Sequence, residues 1–276
     1  KSKIGRGTAL LGLEYGISNH LGQRSPKESY KILKLFRKNK LEMIDTASEY
    51  GDSEKVLGQN DLSEFKVVSK FLNPSNDKKI KDKCYQSLNL LNVKKLYGYM
   101  AHRPLDIVNH PEHWQELLAL KEEEKVSKIG FSFNTTYEVE QILERGFIPD
   151  LVQVPFNYFD KRFVPYINIF KSMNCEVHTR SAFLQGLFFL PMHKVPPFFN
   201  YVKPIINGLQ EEFGTELAGA LLTHCLMQEN IDIVIIGVND SSQFRENLQA
   251  IKTNKALPKL EHEVPINILT PSKWIL

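Results

Sequence analysis

The residues of this chain best suited to chemistry are Asp45, Tyr50, Lys70 and His102. Asp45 follows the apolar pair Met43-Ile44, Lys70 follows Val67-Val68, His102 follows the run 96–101, and Tyr50 lies in the loop behind Asp45. The four types form an acid–base set. A phenol, with a pKa near 10, is a poor proton donor at neutral pH, and a neighbouring ammonium lowers that pKa by favouring phenolate. A carboxylate beside the ammonium keeps it protonated, and an imidazole N–H can hold an oxygen where a proton and a hydride converge. These are the parts needed to reduce a carbonyl. Singly, each has a plainer reading: Asp45 as a cap or turn residue, Tyr50 as a loop aromatic, Lys70 as a surface charge, His102 as a histidine bonded to backbone. Three consecutive strands delivering such groups at the same end favour a site.

The elements that must position them alternate short β-rich runs with longer helical patterns, the signature of a parallel sheet with helical crossovers. Strands are expected at 4–11, 41–46, 65–71, 95–101, 128–133, 151–156, 175–181 and 231–238, each rich in Val, Ile, Phe or Tyr. Helices are expected at 25–38, opened by Ser25-Pro26, and at 77–91, where Ile80, Cys84, Leu88 and Leu91 form one stripe. Further helices are expected at 111–123, 136–145, 163–171, 200–213, 215–228 and 241–252. Eight strands with crossovers predict a (β/α)8 TIM barrel, and with no composition shift or linker, residues 1–276 are expected to form one domain. One connection, 184–204, is unusually long and rich in Pro and Phe, which marks it as a lid or binding loop, or as a loop packed down onto the barrel.

Composition narrows the function classes. With 42% hydrophobic and 24% charged residues over 276 positions, the chain can bury a large core. Its net charge of +3 comes from 35 basic and 32 acidic residues spread along the length, which indicates neither a nucleic-acid groove nor a membrane-binding face. The Lys78-Lys79-Ile80-Lys81 cluster reads as a solvated helix face. Three scattered cysteines, Cys84, Cys175 and Cys225, argue against a disulfide framework and a paired zinc site. With no apolar run long enough for a membrane span and a charged beginning, a reducing cytoplasm is the expected setting; the start at Lys1 suggests a trimmed chain. Gly5-x-Gly7 begins like a dinucleotide fingerprint, but Leu10 stands where the third glycine belongs. Phosphate-loop, nucleophile-elbow and zincin patterns do not occur, so no metal is expected. The oligomeric state is not readable.

The segment IDTASEYGDSEKVLG at 44–58, followed by VVSKF ending at Phe71 and YMAHRP ending at Pro104, resembles the aldo-keto reductases. The likeness continues through IGFSFN, DLVQVPFNYFD, RSAFLQGL and IIGVNDSSQFRENLQA, in the family's order and over essentially the whole chain. It implies an NAD(P)H-dependent carbonyl reductase with Asp45, Tyr50, Lys70 and His102 as the catalytic tetrad. It also implies cofactor contacts. Ser132 and Gln153 are expected at the nicotinamide carboxamide, Ser181 and Phe183 near the pyrophosphate, and Glu246 and Asn247 at adenine, with Gly237, Asn239 and Gln243 in the same binding region. Arg180 stands where many members place an aromatic against the nicotinamide, and a planar guanidinium can stack similarly. Phe133 replaces a common Asn, leaving Asn134 as a possible substitute. Family habit implies NADPH. Asn239, a neutral amide where members often carry Arg or Lys for the 2′-phosphate, keeps NADH open, and Arg245 is close in sequence.

For the substrate, a small-molecule carbonyl, the expected walls are Tyr15, Arg103, Phe156, Asn157, Phe188, Phe189, Phe198 and Phe199. The opening GTALLGLEYGISNHLGQ resembles a bacterial subgroup associated with surface-polysaccharide and modified-sugar pathways, which implies a sugar-like carbonyl. Two other functions stay open: a cofactor-binding regulator or sensor with little turnover, and a barrel lyase using Lys70 as a Schiff-base amine.

Overall fold

The computed structural model describes residues 3–12, 26–74, 79–238, 240–251 and 256–275. Ser25, Asp77 and Lys252 at expected helix ends, the wall residue Tyr15 and the cofactor candidate Asn239 lie outside these residues.

Eight strands form: β1 Ile4–Gly7, β2 Met43–Asp45, β3 Lys66–Phe71, β4 Leu96–Ala101, β5 Val126–Ser132, β6 Leu151–Pro155, β7 Glu176–Arg180 and β8 Ile233–Gly237. All neighbours pair parallel, and β1 also pairs with β8, so the sheet closes into a (β/α)8 TIM barrel. Parallel strands bury both faces. Outward residues such as Ile44, Val67, Tyr99, Val152 and Ile236 pack with Phe36, Leu91 and Leu117 from the helical ring. A separate cluster, Met43, Val68, Met100, Leu151 and Ile235, comes from the opposite strand face and fills the lumen.

The helices Pro26–Lys38, Ile80–Leu91, Glu112–Glu122, Thr136–Glu144, Val164–Ser172, Lys203–Phe213, Leu217–Leu226 and Ser241–Ala250 lie where the apolar periodicity places them. Their starts carry local signals. Thr135 and Glu138 make a reciprocal capping box, and Asp240 caps the last of these helices.

One expectation changes, two short helices are added, and one connection left open takes a definite form. The strand expected at 4–11 stops at Gly7: after a last bond from Thr8 N to Asp45 O at 3.0 Å, Leu11 N bonds back to Thr8 O at 2.9 Å and the chain turns into a short helix at Ala9–Gly12. Helices Ser53–Gly58 and Pro104–Asn109 were not anticipated, being six residues each and too short to show a period. The 184–204 connection breaks into three 3₁₀ turns around a second core. Phe188 and Phe199 are fully buried there, beside Leu187, Val202 and Leu209, so most of the loop packs down onto the barrel.

Candidate active site

Because strand residues alternate, each lumen residue predicts a second one two positions on, at the barrel's open end. Met43 leads to Asp45, Val68 to Lys70, Met100 to His102, Leu151 to Gln153 and Ile235 to Gly237. Five of the candidate residues thus meet at one mouth by parity alone.

Lys70 is wholly buried. Its Nζ donates to Asp45 Oδ2 at 2.6 Å and to Thr46 O at 2.9 Å, while Gln153 Nε2 donates to Asp45 Oδ1 at 2.7 Å. Burial pulls the Lys70 pKa below its ordinary value, and the Asp45 carboxylate opposes that shift. The ammonium lies 5.3 Å from the centre of the Tyr50 ring. Tyr50 in turn meets His102 edge-on, with centroids 5.9 Å apart and planes at 83°.

The Tyr50 loop is held by close backbone contact. A Cβ on Gly12 would fall 1.5 Å from Tyr50 O, and Gly51, at φ +51°, would place one 2.5 Å from Gly12 O. Only glycine tolerates both positions. Ser53 Oγ adds bonds to Thr8 Oγ1 at 2.9 Å and Thr8 O at 3.1 Å, tying this loop to the end of β1.

Burial, with the nearby charges of Lys70, Arg180 and Arg103, lowers the His102 pKa to about 3, so the ring is neutral. Glu49 Oε2 lies 2.8 Å from His102 Nδ1, without an aligned hydrogen bond, and Glu49 Oε1 is 3.7 Å from Arg103 Nη2. Sequence reasoning missed Glu49; its place directly before Tyr50 was the available signal. It also missed Glu54, a buried carboxylate that accepts from Ser69 Oγ at 2.6 Å and Ser87 Oγ at 3.2 Å, and whose pKa burial raises.

Asp45, Tyr50, Gln153, Arg180, Ser181, Phe183, Gly237 and Gln243 all line one cleft of about 980 Å³, which includes its open mouth. Arg180 is anchored rather than free: Nη2 donates to Phe133 O at 3.0 Å and Asn134 Oδ1 at 2.6 Å, and Nη1 to Ser181 Oγ at 3.3 Å. Asn134 is thereby engaged by Arg180. Ser181, Leu184 and Gln185 adopt φ of +68°, +45° and +53°, which swings the chain out of β7 to form the cleft wall. Ser132 is buried beside Gln153 in register but does not line the cleft. A second cavity, sharing Phe183, Phe189 and Gln243 with the first, is lined by Glu246 and Asn247.

Of the expected substrate walls, Phe189 lines the cleft, while Phe188, Phe199 and Phe156 are core residues. Asn157 is buried, with Nδ2 bonded to Ser181 O at 3.0 Å, Phe198 is half-buried against the second core, and Arg103 is exposed. Aromatic residues on a long loop found a core of their own, which the sequence pattern could not distinguish from a wall.

Two buried amide atoms test whether a nicotinamide dinucleotide fits. Gln153, which lines the cleft, and Asn247, which lines the second cavity, each carry a buried amide atom, Oε1 and Nδ2, with no hydrogen-bond partner within the described residues. Buried polar groups are rarely left so. An acceptor at the catalytic end and a donor at the far end suit a carboxamide and a purine. No group of three or more metal-ligating side chains is placed to hold an ion, and no helix is long and apolar enough to cross a membrane, among the described residues.

The sequence model of the Aldo/keto reductase family matches residues 3–263. No curated protein matches the chain. Among solved structures, an aldo-keto reductase from Bacillus halodurans in its holo form is similar at a TM-score of 0.74 and 20% identity, covering 93% of this chain and 88% of that one. A putative aldo-keto reductase from Pseudomonas aeruginosa gives 0.67 and 20%, covering 91% of each chain. A thermostable aldo-keto reductase in complex with the inhibitor epalrestat gives 0.70 and 19%, covering 93% and 92%. At these identities the structures speak to the fold; the family match, spanning nearly the whole sequence, shows that the chain belongs to the aldo/keto reductase family.

Proposed function

We propose that residues 1–276 act as one unit that reduces the carbonyl of a small aldehyde, ketone or keto-sugar, using NADPH or NADH, with Tyr50 as proton donor. The observation that carries this reading is the buried Lys70 ammonium, fixed by Asp45 at 2.6 Å and lying beside the Tyr50 ring. A reduced nicotinamide, when bound, supplies the hydride. As the carbonyl carbon accepts it, the C=O π electrons move to oxygen, and that oxygen takes the proton from the Tyr50 hydroxyl. Lys70 stabilises the phenolate left behind, and water returns the proton. Neutral His102 offers a ring N–H to orient the substrate oxygen. Gln153 holds Asp45 with its amide nitrogen, and its unpartnered oxygen is the acceptor for a carboxamide.

A Schiff-base role for Lys70 requires a free amine, and its bonds to Asp45 and Thr46 O oppose that role. A reducing cytoplasm suits the three cysteines, all buried and unpaired.

The test is oxidation of reduced nicotinamide with a panel of aldehydes and keto-sugars. Turnover is expected, and Tyr50→Phe is expected to lower it by about 10²- to 10⁴-fold with cofactor quenching of protein fluorescence retained. Quenching without turnover across the panel points instead to a regulatory binder. Unchanged turnover in Tyr50→Phe removes Tyr50 as the donor.

A further inference from the structure

The helix Ser241–Ala250 borders both the cleft, through Gln243, and the second cavity, through Gln243, Glu246, Asn247 and Ala250. Gln243 lines both spaces, and Asn247, 4% exposed with Nδ2 unpartnered, faces the second. The free N–H groups of a helix start normally attract phosphate. Here they are taken by carboxylates. Ser241 N donates to Glu28 Oε1 at 2.7 Å, and Ser242 N and Gln243 N both donate to Asp240 Oδ1 at 2.8 Å. Burial works to raise the Glu28 pKa, but the Ser241 N–H and Lys31 overcome it and bring the pKa to about 2, so this acid stays charged. Asp240 is bracketed by two cleft residues, Gly237 and Gln243, and only its Oδ1 is engaged by the helix.

Among the described residues, two cations near the helix start are engaged elsewhere. Lys31 is paired with Glu28 at 3.0 Å, and Arg6 is buried with Nη1 and Nη2 on Ser29. Arg245 is exposed and lies about 160° around the helix from Asn247, away from the cavity face.

We propose that this chain selects the dinucleotide that lacks a 2′-phosphate, NADH over NADPH, and that Asp240 is the residue that determines the choice. The inference rests on the reductase reading of the cleft. The Asp240 carboxylate repels a 2′-phosphate dianion, while its Oδ2 accepts a hydrogen bond from a ribose 2′-hydroxyl, the role an acidic side chain plays in NAD recognition generally. The helix start, already filled, has no N–H left to compensate a phosphate in the first turn.

The test is a titration of the full chain with NADH and with NADPH, followed by fluorescence quenching and by calorimetry, for the wild type, Asp240→Asn and Asp240→Ser. Both substitutions keep a side chain able to cap the helix. NADH is expected to bind at least about tenfold tighter, and each variant is expected to tighten NADPH about tenfold and to weaken NADH, Asp240→Ser more than Asp240→Asn, so that the preference narrows or reverses. Equal or tighter binding of NADPH by the wild type overturns the inference and leaves the reductase reading standing. So does an unchanged preference in both variants with unchanged melting temperature. Binding of neither dinucleotide removes the reductase reading and this inference with it.

Discussion

Lys70 Nζ and Asp45 Oδ2 meet at 2.6 Å with side chains 0% and 4% exposed, an ion pair sealed inside the barrel mouth. Such a pair contributes little net stability, but removing one partner leaves the other charge buried and uncompensated. Asp45→Asn is therefore expected to cost about 3–5 kcal/mol in unfolding free energy. It is also expected to depress activity, because Lys70, whose pKa burial already lowers, loses the charge that opposes deprotonation. The double variant Asp45→Asn/Lys70→Met should recover much of the stability and none of the activity. Denaturant melts of the three proteins check this, and a cost below about 1 kcal/mol for the single variant rules out the pair as drawn.

Tyr50 depends on a backbone contact as much as on its own side chain. Gly12→Ala puts a methyl 1.5 Å from Tyr50 O, so the loop must move, while the Lys70–Asp45 pair on the strands is untouched. A displaced phenol loses its alignment, and misplacement of about 1 Å can cost roughly 10²-fold in rate. The expected result is a kcat loss of that order with little change in cofactor affinity. Steady-state kinetics beside fluorescence titration decide it. A wild-type kcat shows that the loop absorbs the methyl without moving the phenol.

Much of this site was readable because it follows parity. Asp45, Lys70, His102, Gln153 and Gly237 each sit two residues beyond an apolar residue that fills the lumen, and that relation is local in sequence. Features set by tertiary contact were not readable. Thr8 to Gly12 contains Leu10 and Leu11 and looks like more strand, yet it turns into a short helix that brings Gly12 against the Tyr50 carbonyl. Phe188, Phe189 and Phe199 are indistinguishable by type, and only packing sends one to the cleft and two to the core. Asn134 is drawn off by Arg180, a contact 46 positions away.

Acid should destabilise the protein in two stages. His102 and His224 have folded pKa values near 3 and 4, both lowered chiefly by burial, against 6.5 for the free ring. Between those values the unfolded chain binds more protons, so stability falls as pH drops below 6.5. By pH 5 the loss is about 2 kcal/mol per histidine. Glu176 is lowered from 4.5 to about 2: burial opposes ionisation but is outweighed by bonds from His178, Lys128 and Tyr97. Its contribution, present above 4.5, fades as pH falls through that range toward 2. Melting temperatures are expected to be level above about pH 7 and to decline below it, with a shallower decline in His224→Gln. A flat profile down to pH 5 contradicts the neutral, buried state of these rings.

Gln153 separates the two halves of the proposed cofactor. Its Nε2 is fixed on Asp45 Oδ1 at 2.7 Å, which orients the unpartnered Oε1 and keeps the amide from turning. Gln153→Leu keeps the bulk and removes the acceptor, at a cost of about one hydrogen bond, or roughly five- to tenfold in affinity. The loss should appear with a nicotinamide dinucleotide and not with ADP-ribose, which carries the adenosine and pyrophosphate but no carboxamide. Because the substitution also takes a donor from Asp45, stability must be read alongside, and a melting point lowered equally in both ligand series is corrected for by the ratio. An equal loss of affinity for ADP-ribose means that Gln153 shapes the cleft as a whole rather than gripping the nicotinamide end.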